Sequence, residues 1–298
     1  MSSDYAKEAR TVLRHLARRH ARVYLLISPP RCCSTAFARV FWQQPSIGFY
    51  GHEPFEASFY TKRSTAKGRE KLSNPLDLTD LKTYKKEETG SDLLLKDMSF
   101  QAARAFPFLA ALSTETIFFL IRDPRLSIAS RMLRKQEGAM SPVFPPEESG
   151  WEALLEQVQH CQQERRPFAI VDARDFRNRP LDVFPKVFAE VRLPFDERML
   201  SWKPCRDLDL DNIDGRHSHW YRRVLGSSTI LPATEPVPDI STFPTERGFR
   251  DHVGRCLNIY AHLSALPERI GSDLLEETST PAQPGQDDTP CIQKDGIV

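Results

Sequence analysis

The chain has 298 residues, enough to bury a substantial core as one large α/β domain or two small ones. Lys and Arg number 41 against 40 Asp and Glu, a formal net charge of +1, which argues against a nucleic-acid partner or any other general polyanion. Apolar residues at 40% and charged residues at 27% are ordinary for a soluble globular protein, so an anion must be gripped by a local constellation rather than by bulk charge.

The first twenty residues are polar, with no apolar core of signal-peptide length. Residues 5–19 repeat apolar positions at helical spacing, with Val12, Leu13 and Leu16 on one side. Val23–Ile27 is a short, β-rich apolar run ended by Ser28-Pro29-Pro30, the composition of a strand buried on both faces. Ser34–Gln44 reads as a helix stopped by Pro45, and Ile47–Tyr50 as a second strand. The segment 61–90, rich in Lys, Arg and Glu, predicts exposed helices over an opening. Leu93–Lys96 and Thr116–Ile121 read as strands separated by a helix from about Phe100 to Leu112. Pro124–Gln136 is a helix with proline in its first turn, where a missing N–H is harmless. Trp151–Gln163 is another helix and Pro167–Val171 another buried strand. Between Ser201 and Pro244 periodicity fades and prolines recur, predicting a long irregular segment near the site; Glu246–Leu266 is helical again. The tail from about Glu277 has the composition of disordered chain.

This alternation predicts an α/β fold, a P-loop-like doubly wound parallel sheet flanked by helices in three α/β/α layers. One domain is expected over residues 1–275, with a disordered tail over 276–298. The longest apolar runs are strand-sized, far below the roughly 20 residues of a membrane span. Six cysteines (Cys32, Cys33, Cys161, Cys205, Cys256, Cys291) form no CxxC pair, so reduced thiols, a cytoplasmic location, no membrane partner and no metal are expected.

The most informative stretch is Val23 to Phe37. A strand delivers the chain into a tight turn, and a helix starts on small and hydroxyl residues. Unpaired backbone N–H groups and the helix dipole face outward there. The Ser34 and Thr35 hydroxyls and the Arg31 guanidinium would complete a cage for a phosphate-like group; an ordinary N-cap beside a solvated arginine is the plainer alternative. A Walker run GxxxxGK[ST] is absent. Cys33 and Arg39 have the Cys-x5-Arg spacing of a tyrosine phosphatase, but the loop lacks the glycines that let amides close around phosphate.

Pro30-Arg31-Cys32-Cys33-Ser34-Thr35-Ala36 resembles the 5′-phosphosulfate loop of sulfotransferases, usually P-[RK]-S-G-[ST]-[ST]. Phe118 to Ser130 matches the second signature of that superfamily, a strand followed by R-D-P-R-x-S-x-x-S. With two motifs in the right order, about 90 residues apart, the chain is identified as resembling the superfamily dependent on 3′-phosphoadenosine 5′-phosphosulfate. The resemblance implies that Arg31, Cys32, Cys33, Ser34, Thr35 and Ala36 hold the 5′-phosphosulfate, and that Arg122 and Ser130 bind the 3′-phosphate. Cys32-Cys33 stands where Ser-Gly is usual, and a non-glycine at 33 restricts backbone approach to the anion. The late R-K-G-x-x-G-x-W-K segment is absent, and Gly215 to Arg223 is the candidate substitute. Golgi members carry an N-terminal membrane anchor, which is not read here.

Sulfuryl transfer needs a base, cations for the departing phosphate and an in-line arrangement, with no metal. Arg31 is permanently charged and suits the bridging oxygen as an electrostatic clamp. Gly51-His52-Glu53-Pro54-Phe55 follows a short strand. Because several relatives without a catalytic histidine use a glutamate here, Glu53 is the first candidate base and His52 the second; a cap on the helix 54–60 is the alternative role for Glu53. Lys96-Asp97 at another strand end lines the acceptor side or forms a cleft-edge salt bridge. His217, His219, Trp220 and Tyr221 stack on adenine or acceptor, or simply pack. A small-molecule acceptor is expected, on a monomer or homodimer. Two other readings stay open: sulfation-driven cyclisation or elimination, and a non-catalytic nucleotide-binding protein.

Overall fold

Strand runs that are apolar at every position are stable only with a layer packed on both faces. That arrangement appears in the computed structural model, which describes residues 11, 14–16, 18–61, 66–83, 90–210 and 218–271. Strands β1 (Val23–Ser28), β2 (Ile47–His52), β3 (Leu76–Asp77), β4 (Asp92–Met98), β5 (Ile117–Ile121), β6 (Phe168–Asp172) and β7 (Arg269–Ile270) form one sheet in the order β3-β2-β4-β1-β5-β6-β7. All pairs are parallel except β2–β3, so the parallel sheet expected from sequence carries one antiparallel edge.

The helices are α1 (Ser34–Trp42), α2 (Glu56–Thr61), α3 (Ala66–Ser73), α4 (Ser99–Ala102), α5 (Phe106–Leu112), α6 (Pro124–Glu137), α7 (Trp151–Gln163), α8 (Ala173–Asn178), α9 (Pro180–Glu190), α10 (Ser218–Leu225) and α11 (Phe249–Ser264). Successive strand residues point to opposite faces, which builds two cores. Tyr24, Leu26, Leu94, Phe118 and Leu120 meet Phe37 and Phe41 of α1 and Phe184 and Phe188 of α9. Leu25, Ile27, Leu95, Phe119 and Ile121 meet Leu109 of α5, Trp151 and Val158 of α7 and Val253 of α11. Three layers result. Among the described residues no helix is long and apolar enough to cross a membrane.

Several boundaries differ from expectation for local reasons. The helix expected over 100–112 is two pieces, because Pro107 sits in the first turn of α5, where its missing N–H is tolerated. The last helix begins at Phe249, since Arg247 and Gly248 take positive φ of 53° and 68°. In the segment expected to be exposed, Lys82 is buried and donates to the carbonyls of Gln44 (2.5 Å) and Ile47 (2.7 Å), closing the turn after α1. Of the predicted first helix, residues 11, 14–16 and 18–19 are helical; residues 1–10, Val12, Leu13 and residue 17 lie outside the described residues, as do 272–298.

After β1 the chain turns to β2 on one side, and after β4 it crosses to β5 on the other. The carboxyl ends of β1 and β5 therefore flank the crevice where such sheets bind ligands. The segment expected to be irregular over 201–244 holds the helix α10, whose apolar side packs on α1, and residues 211–217 lie outside the described residues. It is tied to this crevice by Arg39, which is buried on α1. Its Nη1 donates to the carbonyls of Val224 (2.6 Å), Ser227 (3.3 Å) and Leu225 (3.4 Å), and Nη2 to Lys203 (2.7 Å). Arg39 thus faces away from Cys33, and the phosphatase spacing has no phosphatase geometry. Stranding buried carbonyls costs about 1–3 kcal/mol each, so Arg39→Met should lower unfolding free energy by about 3 kcal/mol in urea titrations. An unchanged value would mean that this arginine does not anchor the late segment.

Candidate active site

The loop leaving β1 turns sharply at two non-glycine residues of positive φ, Arg31 (66°) and Cys33 (59°). Cys33 is in the left-handed region at the N-cap of α1 and makes no side-chain cap, so the backbone N–H groups of the first turn have no such partner. The conformation that glycine would favour is thus retained with cysteine. Gly150, itself at φ 78°, supports the loop from behind: an added Cβ would lie 2.4 Å from Ser99 Oγ and 3.3 Å from Pro29 Cα.

The two sequence motifs meet at this loop. Arg122, at the end of β5, donates through Nη1 to the Arg31 carbonyl (3.1 Å). Arg31 Nε donates to Ser130 Oγ on α6 (3.2 Å), and Nη1 to the Trp220 carbonyl (3.2 Å), with the guanidinium 5.7 Å from the Trp220 ring centroid. Burial pulls the Arg31 pKa down, yet an arginine remains charged there.

Glu53 follows β2 at φ 44°, and its N–H donates to the Lys96 carbonyl (2.7 Å). Parallel pairing sets His52 beside Lys96. Glu53 Oε1 accepts from Lys96 Nζ and from the Tyr221 hydroxyl (2.6 Å), and lies 3.4 Å from His52 Nε2. Burial would raise the Glu53 pKa. The charges of Lys96 and His52, with hydrogen bonds from Lys96 and Tyr221, outweigh it and hold the carboxylate below its usual range. Burial drops His52 to about 3, so its ring is neutral, and its Nδ1 shares a 2.7 Å hydrogen bond with the Tyr50 hydroxyl. Asp97 is pushed up to about 8 by burial and by Glu53, despite accepting from the Phe55 and Met98 amides.

One cavity of about 650 Å³ is lined by Arg31, Cys33, Ser34, Thr35, Ala36, Glu53, Arg122 and Ser130. Three predicted site residues stay off its wall. Cys32 is buried in the core, with burial raising its thiol pKa; His52 and Lys96 lie behind Glu53. His217 lies outside the described residues. Sequence reasoning missed Arg177 and Glu235, which also line the cavity. The available signal for Arg177 was an arginine soon after a fourth buried strand, β6, whose carboxyl end faces the same crevice. Glu152, His252 and Cys256, a grouping the sequence reading did not see, could hold a metal ion. None of the three lines the cavity, and the His252 ring already meets Glu152 (3.3 Å) on one nitrogen and Ser149 (2.8 Å) on the other.

The doubly wound sheet thus brings the β1–α1 loop, Arg31, Arg122 and the buried Glu53 carboxylate together at its carboxyl edge. The sulfotransferase domain family matches residues 22–244, and the chain belongs to that family. No curated protein matches the chain. Among solved structures it is similar to a sulfotransferase domain from the curacin biosynthetic pathway (12% identity, TM-score 0.41, covering 80% of this chain and 97% of that one). It is also similar to a sulfotransferase domain from the Synechococcus PCC 7002 olefin synthase (15%, 0.46, 80% and 94%) and to mouse sulfotransferase SULT7A1 complexed with PAP (13%, 0.42, 87% and 95%).

Two outcomes follow from the loop and the buried histidine. Cys33→Gly should keep unfolding free energy within about 1 kcal/mol of wild type. Cys33→Val, β-branched at a left-handed position, should lose about 2 kcal/mol; equal stabilities would contradict the loop conformation. His52 is neutral in the fold, so its contribution is complete above its unfolded pKa near 6.5 and is lost as pH falls toward 3. Between pH 6 and 4.5, His52→Gln should therefore flatten the decline of unfolding free energy by up to about 1.4 kcal/mol per pH unit. Parallel wild-type and variant slopes would refute this assignment.

Proposed function

We propose that the chain transfers a sulfuryl group from 3′-phosphoadenosine 5′-phosphosulfate to a hydroxyl or amine of a small molecule, with Glu53 as the base. The observation that carries this reading is the shared cavity: the anion loop, the Arg122–Ser130 pair and the Glu53 carboxylate line one wall system. When bound, the donor supplies an activated sulfuryl group whose sulfur–oxygen bond to the phosphate breaks as the bond to the acceptor forms. Arg31 and the first-turn amides of α1 stabilise charge developing on the departing phosphate. Glu53 accepts the acceptor proton. A carboxylate of low pKa is a weak base, but in a loose transition state the acceptor hydroxyl turns acidic only as its bond to sulfur forms, so the proton moves late. Tyr221 and Lys96 keep the carboxylate aimed and ionised. Tyr60, Phe100, Leu133 and Met140 line another part of the cavity, which supports an acceptor with an apolar body.

Glu53→Gln retains an oxygen that accepts from Lys96 and Tyr221 but removes the basic charge. Turnover should fall about 10²–10⁴-fold, while the Kd for adenosine 3′,5′-bisphosphate stays within about threefold. Wild-type turnover in this variant would discard Glu53 as base. Absence of binding by both the bisphosphate and the sulfate donor would discard the whole reading.

A further inference from the structure

Helix α6 brings two cations at i, i+4 spacing to the cavity, Arg131 and Lys135. Like charges at that spacing repel, so the pair needs a carboxylate between them. Glu148 supplies it: its Oε2 accepts from Arg131 Nη2 and lies 3.5 Å from Lys135 Nζ. Glu148 does not line the cavity, so the single negative charge stands behind while the two positive ones form the wall. Arg134, between them in sequence, has a carboxylate of its own in Glu137. One positive charge on this wall is therefore left without a counter-charge among the described residues.

The surroundings make that excess costly. Arg131 is buried, its guanidinium 4.9 Å from the Phe144 ring centroid and 5.6 Å from that of Phe100. Its Nε has no hydrogen-bond partner among the described residues, and the Tyr60 hydroxyl accepts from Nη2 (3.2 Å). Lys135 Nζ stands 5.8 Å from the same Phe144 ring. Burial lowers the Lys135 pKa; Glu148 raises it and the Arg131 charge lowers it, with a net fall. Aromatic faces steady a cation but carry no net charge, so they leave the excess standing. A buried excess of this kind is relieved by an anion that arrives with a ligand.

Charge also changes sign along the cavity. Glu53 and Glu56 line it just before and at the start of α2, whereas Tyr60, near the far end of that six-residue helix, meets Arg131. At ~1.5 Å per residue, the helix between them is about 9 Å long. Phe100, Leu133 and Met140 form the apolar part of the wall. An acid group on the acceptor is repelled by Glu53 and attracted by the cation pair, which leaves a hydroxyl at the other end for the base. We propose that the acceptor is a hydroxy acid: an apolar body with a hydroxyl at Glu53 and a carboxylate held by Lys135 and Arg131. The inference rests on the reading of Glu53 as the base and names the acceptor class for it.

The test is calorimetric binding of 3-(4-hydroxyphenyl)propanoate and of its uncharged amide, 3-(4-hydroxyphenyl)propanamide, to the protein saturated with adenosine 3′,5′-bisphosphate. Wild type should bind the acid about tenfold more tightly than the amide, the scale of one charge-assisted hydrogen bond. Lys135→Met keeps an apolar stem and removes the charge, and should cut this ratio about fivefold. Lys135→Arg keeps the charge and should hold the ratio within about twofold, which separates lost charge from lost packing. Undetectable binding of the acid, equal wild-type affinity for acid and amide, or an unchanged ratio in Lys135→Met overturns this inference and leaves the donor reading standing where the bisphosphate binds. Failure of the bisphosphate to bind overturns the donor reading and this inference with it.

Discussion

Everything at the carboxyl edge of the sheet depends on the hydrogen bond from Arg122 to the carbonyl of Arg31. It joins the end of β5 to the turn after β1, the two strands that flank the crevice. A left-handed turn at Arg31 and Cys33 is costly for residues with a Cβ, on the order of 1–2 kcal/mol each, and persists only where surrounding contacts over-determine it. Arg122 supplies one such contact. The Arg31 side chain supplies more through Ser130 and Trp220, and Gly150 packs close behind. The strained turn, in exchange, exposes backbone amides without bulk in front of them, which is what an anion cradle requires.

The Glu53–Lys96 pair follows another logic. An ion pair this deeply buried is a poor source of stability, because the desolvation of both groups cancels most of their attraction. Its value lies in position. With Lys96 behind and Tyr221 alongside, the carboxylate has one fixed direction in which to face the cavity, and His52 beside it stays neutral through burial. Lys96 lies behind Glu53 and off the cavity wall, although its place at the end of β4 suggests a cavity-lining residue.

What was legible in the sequence were the features that depend on neighbours in the chain. Apolar runs mark the central strands, and Pro30–Ala36 and Arg122–Ser130 carry their spacing openly. The antiparallel edge β3 was invisible because two residues of strand have no periodicity, and they are fixed by pairing with β2 alone. The side-chain direction of Cys32 was equally hidden: neighbouring cysteines on a tight turn point oppositely, one into the core and one to the cavity. Arg177 and Glu235 lie 58 positions apart and acquire meaning only when folding brings β6 and the irregular segment to one crevice.

Glu53, Glu56 and Glu235 line the cavity, and the surroundings of Glu53 and Glu235 differ in kind. Glu53 is buried, backed by Lys96 on a strand of the central sheet, so displacing it would leave a buried ammonium unpaired at a cost of several kcal/mol. Glu235 has a side chain 30% exposed, on a chain segment without strand or helix bonds, where Arg122 and Arg177 hold it. Solvent access lowers the cost of separating that pair, since partly exposed charges attract each other far less than buried ones. Within a single cavity Glu53 is therefore held in a fully buried pair that is costly to break, whereas Glu235 is held by partly exposed contacts that are cheaper to separate.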